Sequence, residues 1–363
     1  MVGKTIGLSS EFIIHPGETL KEVLEDKNFT QKELALRTGF SEKHISKVLS
    51  GDSNISPSFA KQLEYVFNNI PSSFWNNLQR MYDEEITEFE TQANITMEEK
   101  KVAKLFEPYL TIENIKWSTE IEKVLYLRRY MEVSNLVNVN KLVQGNYRTH
   151  FESKVDDYTK YGFNMYSLHA VSTIENDTPL DIKGLIESIP TLKSIMMGDV
   201  KNYVSLLQNE LKKYGVLFNL VKKIPGTKIK GYTTSNRKGQ AVLIITDHGK
   251  YWHYFWFTLF HEIHHIINKD FLKKNLSDEE LRNIEKSANL FAEDILIDRQ
   301  AFKVLVSKRD FKLSTLDKFA QEQQVNIDTV IGRLQKYNYL NHYEYNDLIR
   351  KITIFEKDDV KCI

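Results

Sequence analysis

Three of the ten histidines in this 363-residue chain lie within five positions, at His261, His264 and His265. In a helix, the spacing His261-Glu262-x-x-His265 places two imidazoles one turn apart on one face, where both can bind one Zn²⁺. Glu262 would then point towards the water on the metal. His264 is rotated by about 100° from His265, which favours a core or surface position over a ligand. The alternative is a pair of buried, hydrogen-bonded histidines without a metal.

A catalytic zinc site needs a third protein ligand and one open position. Glu285 lies twenty residues after His265, in a helical stretch whose following alanines permit close approach to the histidine helix. Asn289, one turn later, is a candidate to orient a ligand. Glu293 is the weaker candidate for the third ligand.

The elements expected around these residues form an α+β region. Apolar runs bounded by Gly, Pro and Asn predict strands at 216–221 and 240–246, and a short third strand is a candidate near 229–233. Helical periodicity at 254–268 would carry the histidines, and helical periodicity at 278–296 would carry Glu285. The aromatic stretch 251–260 is typical of a core, and His253 and Tyr254 within it are candidates to assist an oxyanion.

The N-terminal part carries a second pattern. Five short helices are predicted in about 75 residues, with starts set by Pro16, Thr30, Ser41, Ser56 and Pro71. A helix-turn-helix requires a small residue in its first helix, glycine at the turn and branched apolar residues in its second helix. That order is met by Ala35, Gly39, Ile45 and Val48.

The exposed face of this motif predicts contacts with DNA. Polar side chains on the second helix would reach base edges, and two further side chains would lie at helix N-termini near phosphates. The predicted contacts are Gln31, Ser41, Glu42, Lys43, His44, Ser46 and Lys47. Residues 1–80 hold nine Lys/Arg and nine Asp/Glu, so binding would rest on specific contacts and on a homodimer reading two half-sites. A small helical interaction bundle is the alternative.

Composition narrows the class of protein. The chain has 49 Lys+Arg and 49 Asp+Glu, so its net charge gives no general attraction to polyanions or anionic lipid. The single cysteine, Cys362, excludes an intrachain disulfide and a disulfide-stapled secreted fold. The most apolar window is ten residues long, too short to span a bilayer. We therefore expect a cytoplasmic protein without a membrane partner.

The predicted fold is α+β and mostly α, in four segments. Residues 1–83 would form the helix-turn-helix domain and residues 84–116 a linker or exposed helix. Residues 117–213 would form a helical middle region in which no chemistry is apparent. Residues 214–363 would form the domain that holds the zinc site and end in further helices.

Both patterns resemble known families. Residues 15–82 resemble the XRE-type helix-turn-helix of HigA-like antitoxins. Residues from about 216 resemble the ImmA/IrrE metallo-endopeptidases in four stretches: KIPGTKIKGYT (223–233), FWFTLFHEIHHIIN (255–268), EKSANLFAEDILI (285–297) and FAQEQQVNIDTVIGRLQ (319–335).

The resemblance implies a zincin-like peptidase domain with a small sheet. Its ligands would be His261, His265 and Glu285, and its base Glu262. His264 and Asp298 depart from the family pattern, where a small residue and a proline are usual. Family members belong to mobile elements, stress responses and toxin-antitoxin loci, where the peptidase cuts a repressor.

These observations predict a DNA-binding transcriptional regulator whose zinc-dependent endopeptidase domain cleaves a repressor protein. The alternative is a HigA-like antitoxin or repressor whose C-terminal domain is a non-proteolytic sensor or toxin-binding module. A third reading, a protein that uses both halves as docking surfaces, leaves the histidine spacing as coincidence.

Overall fold

A computed structural model of the chain describes residues 13–146, 156–198, 202–248, 251–273 and 276–351. The chain divides at Met97 into two compact units. Helices dominate both, and the described residues contain one three-stranded sheet. The predicted α+β, mostly α class is therefore confirmed. The cysteine considered above, Cys362, lies outside the described residues.

The described part of the first unit contains five helices: α1 Pro16–Lys27, α2 Gln31–Thr38, α3 Glu42–Leu49, α4 Pro57–Val66 and α5 Ser72–Ala93. Their starts follow the predicted caps. The side chains of Thr30 and Ser41 accept hydrogen bonds from backbone N–H groups in the first turns of α2 and α3. Gly39 ends α2 at φ +74°, a left-handed conformation that glycine adopts without steric cost.

The helix-turn-helix residues occupy the core of this unit. Ala35, Ile45 and Val48 are buried, while Gly39 at the turn is exposed. The first helix passes close to α3, because a Cβ on Gly17 would lie 1.9 Å from the carbonyl oxygen of Val48. Only glycine permits this approach without a backbone shift.

Helix α5 begins without a side-chain cap from Pro71, the residue before it. The carboxylate of Glu64 on α4 supplies the acceptor instead, because its Oε2 accepts a hydrogen bond of 2.6 Å from the Ser72 amide. Lys61 also donates a hydrogen bond to Glu64. A side chain from the preceding helix thus satisfies one of the N–H groups that α5 leaves unpaired.

The segment 84–116, for which a linker or an exposed helix is predicted, consists mainly of parts of two helices. Its first part continues α5 to Ala93, and most of it is exposed. Its second part is α6 Met97–Ile112, which buries Phe106 and Leu110. A buried Glu99 on the same helix accepts two hydrogen bonds from the Arg128 guanidinium. A helix that buries such groups belongs to the core of the second unit.

In the described part of the second unit, six further α-helices precede the sheet. They are α7 Glu120–Tyr130, α8 Val139–Asn146, α9 Asp157–Ala170, α10 Ile182–Glu187, α11 Ile189–Met197 and α12 Tyr203–Lys212. The strands are β1 Val216–Val221, β2 Gly231–Ser235 and β3 Ala241–Thr246. Five helices follow: α13 Trp252–Ile267, α14 Asp278–Leu296, α15 Arg299–Lys308, α16 Leu313–Glu322 and α17 Ile327–Lys336.

The sheet has the order β1-β3-β2. Strand β3 lies in the centre, parallel to β1 and antiparallel to β2, with Val216 opposite Ala241 and Gly231 opposite Ile245. Every residue of β3 is buried, which explains its continuous apolar sequence. All three predicted strands are present, with bounds shifted by at most two residues.

Helices cover both faces of the sheet. Phe218 and Leu243 share a core with Phe255 and Trp256 of α13. On the opposite face, Asn164 of α9 accepts hydrogen bonds from two side chains of β2. The region 117–213 is therefore part of the same unit as the sheet. None of the described helices combines the length and apolar character that a bilayer span requires.

Candidate functional site

Helices α13 and α14 bring His261, His265 and Glu285 together. The Nε2 atoms of the two histidines lie 3.0 Å apart. Glu285 places one oxygen 3.2 Å from His261 Nε2 and the other 3.6 Å from His265 Nε2. The side chains of both histidines are 4–5% exposed, and that of Glu285 is 20% exposed. The three predicted ligands therefore face one another, and solvent reaches this group on the side of Glu285.

The spacing of these atoms fits a zinc ion. Zinc holds nitrogen and oxygen ligands at about 2.0–2.2 Å in a tetrahedron, which separates neighbouring ligand atoms by about 3.3 Å. The three observed separations are 3.0, 3.2 and 3.6 Å. Two imidazoles and one carboxylate also form a donor set that catalytic zinc sites use.

Asp270, which sequence reasoning missed, orients His265. Its Oδ2 lies 3.0 Å from His265 Nδ1, and its Oδ1 accepts a hydrogen bond from Lys273. Burial opposes ionisation of Asp270, but the hydrogen bonds from His265 and Lys273 prevail and lower its pKa. An ionised carboxylate only accepts, so His265 donates its Nδ1–H to Asp270 and turns its Nε2 towards His261 and Glu285. The only signal in the sequence is an acidic residue shortly after the histidine helix.

Glu262 is held by β2. Its Oε2 accepts a 2.7 Å hydrogen bond from the Thr233 hydroxyl, and it is 6% exposed. Burial raises the pKa of Glu262, against the opposing influence of the two histidines and Thr233. A Cβ on Gly231 would lie 2.4 Å from its Oε1, so the first residue of the strand must be glycine for this side chain to fit.

His264 connects α13 to α14. Its Nε2 lies 3.1 Å from the Ser287 hydroxyl and 3.0 Å from Asn268 Nδ2, and its ring packs on Phe291. These contacts place it in the packed interface of the two helices. A second group that could hold a metal, His264, His265 and Asp270, shares His265 with the first. In that group, the Nδ1 of His265 already faces Asp270.

Glu293, the weaker candidate for the third ligand, is engaged elsewhere. It accepts hydrogen bonds from Lys336 Nζ at 2.7 Å and from Tyr337 OH at 2.9 Å. Burial would raise the pKa of Glu293, but these hydrogen bonds outweigh it and the pKa is lowered. Asn289 lines a cleft that lies beside the histidines. Among the described residues, it makes no hydrogen bond to His261 or His265.

A cleft of about 290 Å³ adjoins the predicted metal ligands. His261 and Glu262 line one end of it, and His253 and Tyr254, the oxyanion candidates, also line it. Helices α13, α14 and α17 form its walls. A substrate group in this cleft would therefore lie against the ligand His261 and the predicted base.

The predicted DNA contacts lie on α2, α3 and their N-termini. Six of the seven are exposed: Gln31, Ser41, Glu42, Lys43, Ser46 and Lys47. His44 differs from the prediction. Its ring stacks on Phe40 and meets the edge of Phe59, with its Nε2 buried and without a hydrogen-bond partner. Packing against α4 turns this side chain inward, away from the face that carries Lys43 and Lys47.

Comparison with known families matches the N-terminal unit. Residues 20–75 match the helix-turn-helix family. The N-terminal unit contains a helix-turn-helix domain. This match supports a role as a DNA-binding regulator, in agreement with the buried motif residues and the exposed polar face of α3. No curated protein and no solved structure matches the chain.

Proposed function

We propose that the chain is a DNA-binding transcriptional regulator whose second unit is a zinc-dependent endopeptidase. One observation carries the proposal: His261, His265 and Glu285 converge at spacings that suit a tetrahedral zinc ion, next to a buried Glu262. The orientation of His265 by Asp270 supports it, because zinc-bound histidines almost always donate their second N–H to such a partner.

The residues divide the work of peptide hydrolysis. Zinc at the three ligands would supply Lewis acidity towards water and a peptide carbonyl. Glu262 uses Oε1 to take a proton from the attacking water, because Thr233 occupies its Oε2. The water oxygen adds to the carbonyl carbon, the C–N bond breaks, and Glu262 returns the proton to the leaving amine.

We infer a protein substrate, and specifically a DNA-binding repressor, from the helix-turn-helix on the same chain. Cleavage of another copy or of a neighbouring repressor would release a promoter in a stress, mobile-element or toxin-antitoxin context. The regulator itself would bind operator DNA as a homodimer, since two half-sites supply contacts that one neutral domain lacks.

Metal analysis of paired variants tests the zinc site. We expect one zinc per wild-type chain, full occupancy in Glu262→Gln and loss of zinc in His265→Gln. His264→Gln is the matched control, because His264 is a buried neighbour on α13 that bonds Ser287 and Asn268. Equal zinc in His265→Gln and His264→Gln would contradict the assignment.

Hydrolysis is measured with a peptide library read by mass spectrometry. The zinc-loaded wild type should cleave it, whereas Glu262→Gln, with zinc retained, should be slower by at least about 100-fold, the usual contribution of a general base. The alternative function, an antitoxin or repressor with a non-proteolytic sensor or toxin-binding unit, predicts no cleavage by either protein.

A further inference from the structure

The cleft extends from the metal ligands along one face of α13. His253, Phe257 and His261 are spaced four residues apart, so they form a stripe on that face. Eight residues of helix place His253 about 12 Å from His261 along the axis. Helix α17 forms the opposite wall and follows this stripe. Its Lys336 lies over the Phe257 ring, and its Gly332 lies against His253.

Apolar side chains form part of the walls of this cleft. Phe257, Leu296 and Ile297 line it, and a Cβ on Gly332 would come within 2.6 Å of the His253 ring. A cavity of about 150 Å³ with such walls holds one benzene molecule. The 290 Å³ of this cleft therefore accommodate one large side chain and part of the peptide that carries it.

The lining of this cleft holds three cations, Lys230, Arg333 and Lys336, and two carboxylates, Glu262 and Glu293, which leaves an excess of one positive charge. Lys336 and Arg333 both approach the single carboxylate of Glu293, with nitrogen–oxygen distances of 2.7 and 3.6 Å. The pKa of His253 is lowered to about 4 by burial, so the imidazole at the end of the cleft is neutral at pH 7. A basic side chain entering here would meet an uncompensated cation in partly desolvated surroundings.

We propose that this cleft is a specificity pocket, which takes one large uncharged apolar side chain next to the scissile bond and rejects lysine and arginine. The proposal rests on the proposed peptidase function. Phe257 and Leu296 provide the apolar contact, Gly332 with His253 sets the depth, and Lys336 with Arg333 excludes basic side chains.

Hydroxamate ligands test the pocket without turnover. The probes are peptidyl hydroxamates that differ only in the side chain beside the zinc-binding group: methyl, isobutyl, benzyl or aminobutyl. Calorimetry with the zinc-loaded full-length chain should show the isobutyl and benzyl compounds binding at least about tenfold tighter than methyl. The aminobutyl compound should bind more weakly than the isobutyl compound by a similar factor.

Two variants assign the selectivity to residues. Lys336→Met keeps the side-chain stem near Phe257 and removes the charge, so the aminobutyl compound should gain at least about fivefold while isobutyl stays within about twofold. Lys303→Met, at an exposed position on α15, is the control and should change neither. Gly332→Ala should weaken the benzyl compound most, and its melting temperature shows whether the fold is intact.

The outcomes separate the pocket from the metal site. Equal affinities across the four compounds, with zinc bound, overturn the pocket and leave the zinc centre standing. Preference for the aminobutyl compound also overturns it. A chain that binds no zinc overturns the proposed function, and the pocket proposal with it.

Discussion

Asp270 does not line the cleft beside the histidines, yet its contact with Nδ1 of His265 determines which nitrogen of that ring faces His261 and Glu285. Its carboxylate accepts from Nδ1 on one side and from Lys273 on the other. The orientation of Nε2 towards the predicted metal position depends on this arrangement. Partners of this kind usually contribute 10–100-fold to metal affinity.

We expect Asp270→Ala to weaken zinc binding by about 10–100-fold, because His265 loses the partner that fixes its tautomer. Asp270→Asn keeps an acceptor oxygen and should fall between this variant and the wild type. Competition with a chelating dye measures the affinities. Asp317→Asn, at an exposed position on α16, is the control, and an unchanged affinity in Asp270→Ala would refute the role.

At single positions, the sequence identifies ligands better than their partners. The spacing of His261 and His265 follows from helical geometry alone, so it can be read directly. Asp270 acts through a short turn after α13, and no periodicity marks it. Helical spacing alone places His44 on the DNA face. Its inward partner, Phe59, lies on another helix, so local spacing cannot predict this contact.

Among the elements, the start of α5 depends on a charge. Hydrogen bonds from Lys61 and from Ser72 lower the pKa of Glu64 to about 2. Because this folded-state pKa lies below the unfolded value, the carboxylate stabilises the fold above about pH 4.5. The contribution is lost as the pH falls through 4 towards 2.

Glu64→Gln should therefore lower the melting temperature at pH 7, and the difference from the wild type should shrink between pH 5 and pH 3. Scans of the full chain by circular dichroism across this range provide the measurement. Glu22→Gln, at an exposed position on α1, should show no such trend. A pH-independent difference would mean that the carboxylate charge is not what stabilises α5.

The sequence predicts the type of an element correctly where one or both faces of that element are buried. The continuous apolar run of β3 and the capped helices of the first unit carry strong local signals. The segment 84–116 carries only a weak local signal. Its charged residues indicate an exposed stretch, which is right for the end of α5, but Glu99 is a buried ion-pair partner whose role depends on Arg128.

For the whole molecule, the division at Met97 predicts two fragments that fold separately. Among the described residues 13–97, the apolar core of the first unit is formed by residues between Leu20 and Trp75. Residues 1–97 should be helical with a cooperative melting transition, and residues 98–363 should bind one zinc ion. Circular dichroism and metal analysis check both, and a second fragment that binds no zinc while the full chain binds it would contradict independent folding of the second unit.

The region 117–213 lies in the second unit, together with the sheet, and it supports one of the strands. The sequence shows no residues there with an evident chemical role. Local patterns cannot reveal that α9 covers the face of the sheet opposite to α13. Asn164 meets Tyr232 and Thr234, the two residues that flank Thr233. Since Thr233 binds Glu262, the middle region supports the strand that holds the predicted base.

The strand order has a consequence for biosynthesis. Strands β1 and β2 are synthesised first, yet each finds its hydrogen-bonding partner only in β3, which inserts between them. Both pairings become possible only once residues 241–246 have been synthesised, and the helix that carries His261 and His265 begins at Trp252, shortly after them. Ribosome-bound chains that end before β3 are therefore expected to leave the pairing edges of β1 and β2 open, and the predicted metal ligands are synthesised after that strand.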